Sequence, residues 1–250
     1  MSIEMVNVHK AFDDQEVLRG FSLTIPDGET VSVIGGSGSG KSVALKHIVG
    51  LLKPDEGDVW IDGENVGRLD RESVYQLRRN VGYVFQFAAL FDSMTITENV
   101  GMGLARIAGL DRKKISARVE ECLHMVDLDG YGDRMPSELS GGQRKRVGFA
   151  RAIATQPKYL LYDEPTTGLD PVTSAVIDAL IVRMGDELGV TGVVITHDMK
   201  SAFRISDRIA MLYEGRIRFV GTPTELQITE DPVVKGFIEG RPELMESERR

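Results

Sequence analysis

The octet GGSGSGKS comprises Gly35, Gly36, Ser37, Gly38, Ser39, Gly40, Lys41 and Ser42. Four glycines let the backbone bend so that successive N–H groups converge on one anion, and a cation and a hydroxyl close the run. The spacing is that of a phosphate-binding loop, in which the lysine reaches the β- and γ-phosphates of a nucleotide and the hydroxyl ligates Mg²⁺. Val43 follows directly and belongs to the same nucleotide-contact set. A second stretch, YLLYDEP (159–165), is an apolar run ending in two acids, which would be costly to bury unless they face a site at the end of a strand. Asp163 suits a Mg²⁺ shell, and Glu164 suits a general base that orients water for in-line attack. The plain alternatives are a glycine-rich turn that happens to hold a lysine, and helix capping by Asp163 ahead of Pro165.

The elements that must hold these residues are short and alternate in type. ETVSVIGG (29–36) reads as a strand entering the glycine loop, and VALKHIVGLL after it places Ala44, Leu45, Ile48, Val49 and Leu52 on one helical face. NVGYVFQ (80–86), YLLYDEP and GVVITHD (192–198) read as further strands, and Ile177, Leu180, Ile181 and Met184 mark a helix between the last two. Such alternation predicts an α/β fold with a mostly parallel sheet and crossover helices. Ligands of these sheets bind beyond the carboxyl ends of the strands. The expectation is therefore one crevice ringed by Lys41, Gln86, Asp163, Glu164 and His197, with Ser42, Gln86 and Asp163 towards the metal. Phe85 is expected to end a buried strand.

Residues 88–155 read differently, with helical segments near 96–106, 112–127 and 143–155. The predicted division is 1–87, 88–155 (an inserted helical subdomain), 156–223 and a helical tail, 224–250, ending in the charged ELMESERR. DRIAMLYEGRIRFVGTP, from Asp207, reads as a hairpin around Glu214-Gly215-Arg216. Apolar residues make up 42% and charged residues 27% of the 250, ordinary for a soluble globular protein. A net charge of −8 argues against binding nucleic acid through its phosphates. The single cysteine, Cys122, recurs at helical spacing with Val119, Leu123 and Val126 and reads as core. The start lacks the apolar stretch of a signal peptide, and no run has the roughly 18 apolar residues of a membrane helix, so a cytosolic location is expected.

LSGGQRKR (139–146) adds a second anion site: Ser140 can cap a helix whose N-terminus exposes the N–H groups of Gly141 and Gly142, next to Gln143. Arg144, Lys145 and Arg146 read as the solvated face of that helix, opposite Val147, Ala150 and Ala154. Taken in order, the phosphate loop, Gln86, LSGGQ, YLLYDEP, TGLD (167–170) and His197 resemble the ATPase subunits of ABC transporters, over essentially the whole chain. The resemblance implies a P-loop NTPase fold with an N-terminal antiparallel β part and an inserted helical subdomain. It implies ATP and Mg²⁺, with Phe12 stacked on the adenine and His197 near the γ-phosphate. It also implies a head-to-tail homodimer, in which Ser140 and Gly142 of one subunit close over ATP held by the other and Asp170 lies at the interface.

FQFAALFDSMTITENV, KSVALKHIVGLLKPDEG, RKRVGFARAIA and DPVVKGFIEG are similar to the ATPases of Mla/Mce-type lipid transporters. That likeness implies an integral-membrane permease, an Mce-domain substrate-binding protein, a STAS-domain subunit and phospholipid cargo, with the chain on the cytoplasmic face of the inner membrane. Ala89, Leu90, Phe91 and Met94 would then form the permease's docking groove. The alternative is the ATPase of an importer for amino acids or other small solutes. A soluble ATPase of the same family acting on nucleic acid would carry tandem cassettes or long insertions, and neither is visible.

Overall fold

The computed structural model describes residues 3–107 and 110–246. The chain divides into two compact units, Met1–Val74 with Thr191–Arg250, and Tyr75–Val190. Each is best understood by itself.

In the first unit, β1 (Ile3–Phe12) and β2 (Gln15–Ile25) form an antiparallel hairpin, the N-terminal β part expected. β1 alternates, with Ile3 and Met5 buried and Glu4 and Val6 exposed, as a sheet covered on one face requires. Its other edge pairs antiparallel with β4 (Glu56–Ile61), which carries the two-residue β5 (Glu64–Asn65). β3 (Thr30–Ile34) instead lies between β8 (Thr191–Ile195) and β9 (Arg208–Tyr213), parallel to both. All five residues of β3 and of β8 are buried, the unbroken apolar pattern of parallel strands covered on both faces. β10 (Arg216–Gly221) returns antiparallel along β9. Glu214 and Gly215 both take left-handed backbone in that turn (φ 48° and 79°), as a two-residue hairpin with the twist of its strands demands.

Helix α1 (Lys41–Ile48) leaves the glycine loop, and α2 (Arg71–Arg79) contains the break between the units. Ile34, Ala202, Ile209, Met211, Leu226, Val233 and Val234 share one core in the first unit, between the strands and the later helices α7 (Met199–Ile205), α8 (Pro223–Gln227) and α9 (Pro232–Glu239). The tail helix α10 (Pro242–Glu246) follows, and the expected charged terminus beyond it, 247–250, lies outside the described residues.

The second unit holds the parallel pair β6 (Val81–Val84) and β7 (Tyr159–Asp163), with α3 (Ile96–Gly101), α4 (Arg112–Met125), α5 (Gly141–Ile153) and α6 (Pro171–Leu188). Among the described residues no strand lies between Val84 and Tyr159. Val119, Cys122, Leu123 and Val126 are all buried, as are Ile177, Leu180, Ile181 and Met184, so both periodic readings describe real helix faces. Burial pushes the Cys122 thiol up to about 11, which makes it a core side chain. Phe85 departs from expectation. β6 stops at Val84, and Phe85 stands 42% exposed with its ring 4.5 Å from that of Tyr83. The apolar run continued past the last residue able to pair with β7.

β6 also approaches α5 closely at Gly82, where a Cβ atom would lie 2.6 Å from Leu160 Cδ2 and press on the carbonyl oxygen of Ala152. A backbone carbonyl cannot yield as a flexible side chain can. Gly82→Ala is expected to destabilise the chain by about 1–3 kcal/mol, read from denaturant unfolding with an unchanged m-value.

Candidate functional site

The first unit carries the phosphate loop. It begins where β3 ends and closes onto α1, whose N-cap is Gly40 in the left-handed region (φ 104°). A Cβ at Gly40 would lie 2.8 Å from Val17 Cγ1, so only glycine fits. Gly36 and Gly38 have open space instead, and they are exposed together with Ser37. Lys41 is 7% exposed, and its ammonium donates to the carbonyls of Gly35 and Gly36, each at 2.9 Å, spanning the loop. The Ser39 hydroxyl is buried without a hydrogen-bond partner. Ser42 and Val43 start α1, half-buried. This donor-rich, acid-free cradle suits a phosphate chain, and an orphaned hydroxyl inside it is what an absent anion would leave.

Two other expected residues belong to this unit. β3 and β8 pair with Val33 opposite Ile195, and Thr196 N–H donates to the Val33 carbonyl at 3.3 Å. His197, exposed, therefore follows β8 at the same edge at which the loop leaves β3. Phe12 ends β1 with its ring 42% exposed and the Lys10 ammonium 5.7 Å from its centroid. An exposed aromatic face beside a cation is a chemically reasonable platform for a base.

The second unit carries the acids. β6 and β7 pair in parallel up to Val84 opposite Tyr162, so Gln86, two residues past β6, and the Asp163–Glu164 pair at the end of β7 leave the sheet at the same edge. Asp163 accepts from the Tyr83 hydroxyl at 3.1 Å, and burial together with that carboxylate drives the phenol pKa well above its ordinary value. Glu164 is held in the left-handed region (φ 51°), a strain of about 1–2 kcal/mol for a residue with a Cβ, while its carboxylate accepts from Thr167 Oγ1 at 3.0 Å.

α5 opens with a capping box. Ser140 Oγ accepts from Gln143 N–H at 3.3 Å, and Gln143 Oε1 accepts from Ser140 N–H at 2.8 Å, so neither side chain is idle. Gly141 is exposed, and a Cβ on Gly142 would press on Thr173 Cγ2 at 2.6 Å. Asp170 caps α6, with one carboxylate oxygen accepting from the N–H groups of Val172 and Thr173, and hydrogen bonds from Thr173 lower its pKa.

The basic run on α5 is a solvated face only in part: Arg144 is exposed and Arg146 half-buried, but the residue between them is inside. Lys145 is 6% exposed, and its ammonium donates to the carbonyls of Pro165 at 2.8 Å and Glu164 at 3.4 Å. Arg144 donates to the Leu139 carbonyl, and Arg146 to those of Val126 and Asp127. Each cation serves backbone carbonyls that no helix or strand satisfies. A signal existed: Lys145 stands three and four residues before buried Gly148 and Phe149, on the same helix face.

The segment after Gln86 is set by two side chains that sequence reasoning did not single out. Ala88 and Ala89 are both left-handed (φ 59° and 48°), and Arg151 donates to both their carbonyls, at 2.6 Å to Ala89. The Arg151 guanidinium also lies 5.8 Å from the ring centroid of Phe85. Fully buried Asn99 donates to the carbonyls of Phe91, Met94 and Thr95 and accepts from Phe91 N–H at 2.8 Å. The loop so held leaves Phe87 at 82% and Phe91 at 48% exposure, and Leu90 and Met94 half-buried.

The sequence model of the ABC transporter family matches residues 18–167. The chain is 42% identical to the sulfate/thiosulfate import ATP-binding protein CysA of a Synechocystis strain, across 95% of this chain and 66% of that protein. It is 43% identical to the Arabidopsis thaliana protein TRIGALACTOSYLDIACYLGLYCEROL 3, chloroplastic, across 95% of this chain and 73% of that one. The chain thus spans about two thirds of the length of these curated relatives. Among solved structures, a dimeric ATP-binding cassette in a post-hydrolysis state, bound to ADP and Pi, superposes with a TM-score of 0.81 at 36% identity, over 88% of this chain and 98% of that chain.

Asn99 carries the most local bonds of any side chain at the Gln86 loop. Asn99→Ala would strand the Phe91 N–H and the Met94 carbonyl, and is expected to destabilise by about 1–3 kcal/mol in thermal or denaturant unfolding. Protease cleavage after Phe87 or Phe91 should then outpace that of the wild-type chain.

Proposed function

The chain belongs to the ABC transporter family as one of its ATP-binding cassettes, and from that premise we propose that it binds and hydrolyses ATP with Mg²⁺ to drive a membrane permease. The observation that carries this reading is the cradle of Gly35–Ser42, where Lys41 spans the loop and the buried Ser39 hydroxyl stands without a partner. Phe12 is assigned to the adenine, and the loop from Gly35 to Val43 to the phosphates. Ser42, Asp163 and Gln86 are the residues that would hold Mg²⁺, which supplies positive charge against the phosphate oxygens. Glu164 takes the proton of the attacking water, and His197 contacts the γ-phosphate.

Two copies are assigned to the working unit, since each chain carries one phosphate loop and one LSGGQ stretch. Ser140, Gly141, Gly142 and Gln143 of each then face the nucleotide of the other, with Asp170 at the interface. The domain reading of 1–87 and 156–223 as nucleotide core, 88–155 as helical subdomain and 224–250 as tail goes with this assignment. No described helix is long and apolar enough to cross a membrane, so the lipid-spanning work is assigned to a separate permease, docked at Phe87, Leu90, Phe91 and Met94. The chain then sits on the cytoplasmic face of that membrane.

As to cargo, the comparisons support import of a small solute better than lipid transport, because a relative matched along 95% of this chain is named for sulfate/thiosulfate import. Phospholipid transport with an Mce-domain protein and a STAS-domain subunit is the second reading. It is favoured by the resemblance of the 85–100 segment and by the glycerolipid in the Arabidopsis relative's name. Purification of the assembled complex separates them. A permease with a solute receptor is the expected result. An Mce-domain protein in the receptor's place moves the cargo to lipid, and RNA or DNA without a permease overturns transport altogether.

Two substitutions test the chemistry. Glu164→Gln should retain ATP binding while hydrolysis falls roughly 100-fold or more, and turnover at the wild-type rate removes the general-base assignment. Lys41→Ala should weaken ATP binding about tenfold or more by equilibrium titration, since it deletes the cation over the phosphates. Unchanged affinity would count against the cradle.

A further inference from the structure

We propose that Lys145 is a positioning residue for the hydrolytic reaction, holding Glu164 in its strained backbone conformation from inside the second unit. This rests on the reading of Glu164 as the base. Glu164 carries a side chain at φ 51°, a region that a residue of its type enters only when its surroundings over-determine it. Four hydrogen bonds do so. The Lys145 ammonium donates to the carbonyls on both sides of the Glu164–Pro165 junction, at 3.4 and 2.8 Å. Thr167 Oγ1 donates to the Glu164 carboxylate at 3.0 Å, and Thr167 N–H to its carbonyl at 3.3 Å. Thr167 therefore fixes the carboxylate, and Lys145 fixes the peptide unit that follows Glu164 and the one after it.

A buried cation is an expensive way to satisfy two carbonyls, and a water or a shorter polar side chain could serve for anchoring alone. What a charged donor adds is a strong, short bond to the Pro165 carbonyl, at 2.8 Å, and a charge that also reaches the Glu164 carbonyl, in a place where a slight rotation of the peptide would swing the carboxylate. Burial pushes the Lys145 ammonium down to about 8, while the nearby Glu164 charge acts to raise it, which places the two groups in one electrostatic neighbourhood. Lys145 also sits five residues after Ser140 on the same helix, so the backbone of Glu164 and the start of the LSGGQ helix share one rigid support.

Steady-state ATP hydrolysis by the full chain tests the proposal, with Lys145→Met and Lys145→Gln made alone and in the Glu164→Gln background. Lys145→Met should lower kcat by about tenfold to 100-fold with the ATP KM within about twofold, because misplacing a catalytic group costs rate rather than ground-state binding. Lys145→Gln, which keeps a donor on a shorter stem, should recover part of the loss. In the Glu164→Gln background the further Lys145→Met change should alter kcat less than about twofold, since a residue acting through Glu164 has nothing left to act on. Undiminished kcat in Lys145→Met, or the same fold-loss in both backgrounds, overturns the proposal. If Lys145→Met melts early, Lys145→Gln in the two backgrounds is judged by the same criteria. Wild-type turnover by Glu164→Gln instead removes the reading of the site on which the proposal rests.

Discussion

Parallel strand pairing aligns the carboxyl ends of neighbouring strands at one edge, and the phosphate loop, Gln86, Asp163, Glu164 and His197 all depend on that alignment. In the first unit it sets the exit of β3 into the glycine loop beside the exit of β8 into His197. In the second it sets the exit of β6 towards Gln86 beside the exit of β7 at Asp163 and Glu164. The strands themselves are buried, and the polar groups inside them are uncharged hydroxyls such as those of Ser32 and Thr191, so charged side chains can appear only where pairing stops. The chemistry is thus gathered at the last residue of a strand and in the loop that follows, where backbone geometry is no longer dictated by the ladder.

That confinement creates a second problem. Residues leaving a strand or a helix abruptly expose carbonyls that neither sheet nor helix satisfies, and several of them adopt left-handed backbone. In the second unit α5 answers it repeatedly. Lys145 takes the carbonyls of Glu164 and Pro165, Arg151 those of Ala88 and Ala89, Arg146 those of Val126 and Asp127, and Arg144 that of Leu139. One helix, capped at Ser140, therefore braces four separate turns. Its cations are long enough to cover apolar surface with their stems while the charge reaches a carbonyl.

Much of this was legible in the sequence. The phosphate loop, the ends of β7 and β8, the hairpin at Glu214-Gly215 and the buried faces of α4 and α6 follow from glycine spacing, period and turn chemistry. What escaped was set by tertiary partners. Lys145 reads as exposed because charged residues usually are, and only the buried residues one turn further on hint otherwise. Phe85 reads as strand because composition continues past the point where the partner strand ends. The left-handed turn at Ala88 and Ala89 has no sequence signature, since alanine does not favour it; Arg151 braces it from 62 residues away, and Asn99 ties down Phe91 just after it. Helix α2 shows only Leu77 to its interior, too little for a period to be read.

Cys122 has a consequence of another kind. It is the single thiol of the chain, it is fully buried on α4, and burial keeps it protonated. A folded molecule therefore presents no thiolate to an alkylating reagent or a mild oxidant. The background for site-directed labelling is silent without any cysteine having been removed, so a probe placed at the Gln86 loop or on α5 would report from a single position. The same thiol would become visible only as α4 opens, making it a clock for local unfolding of the helical region rather than a reactive group.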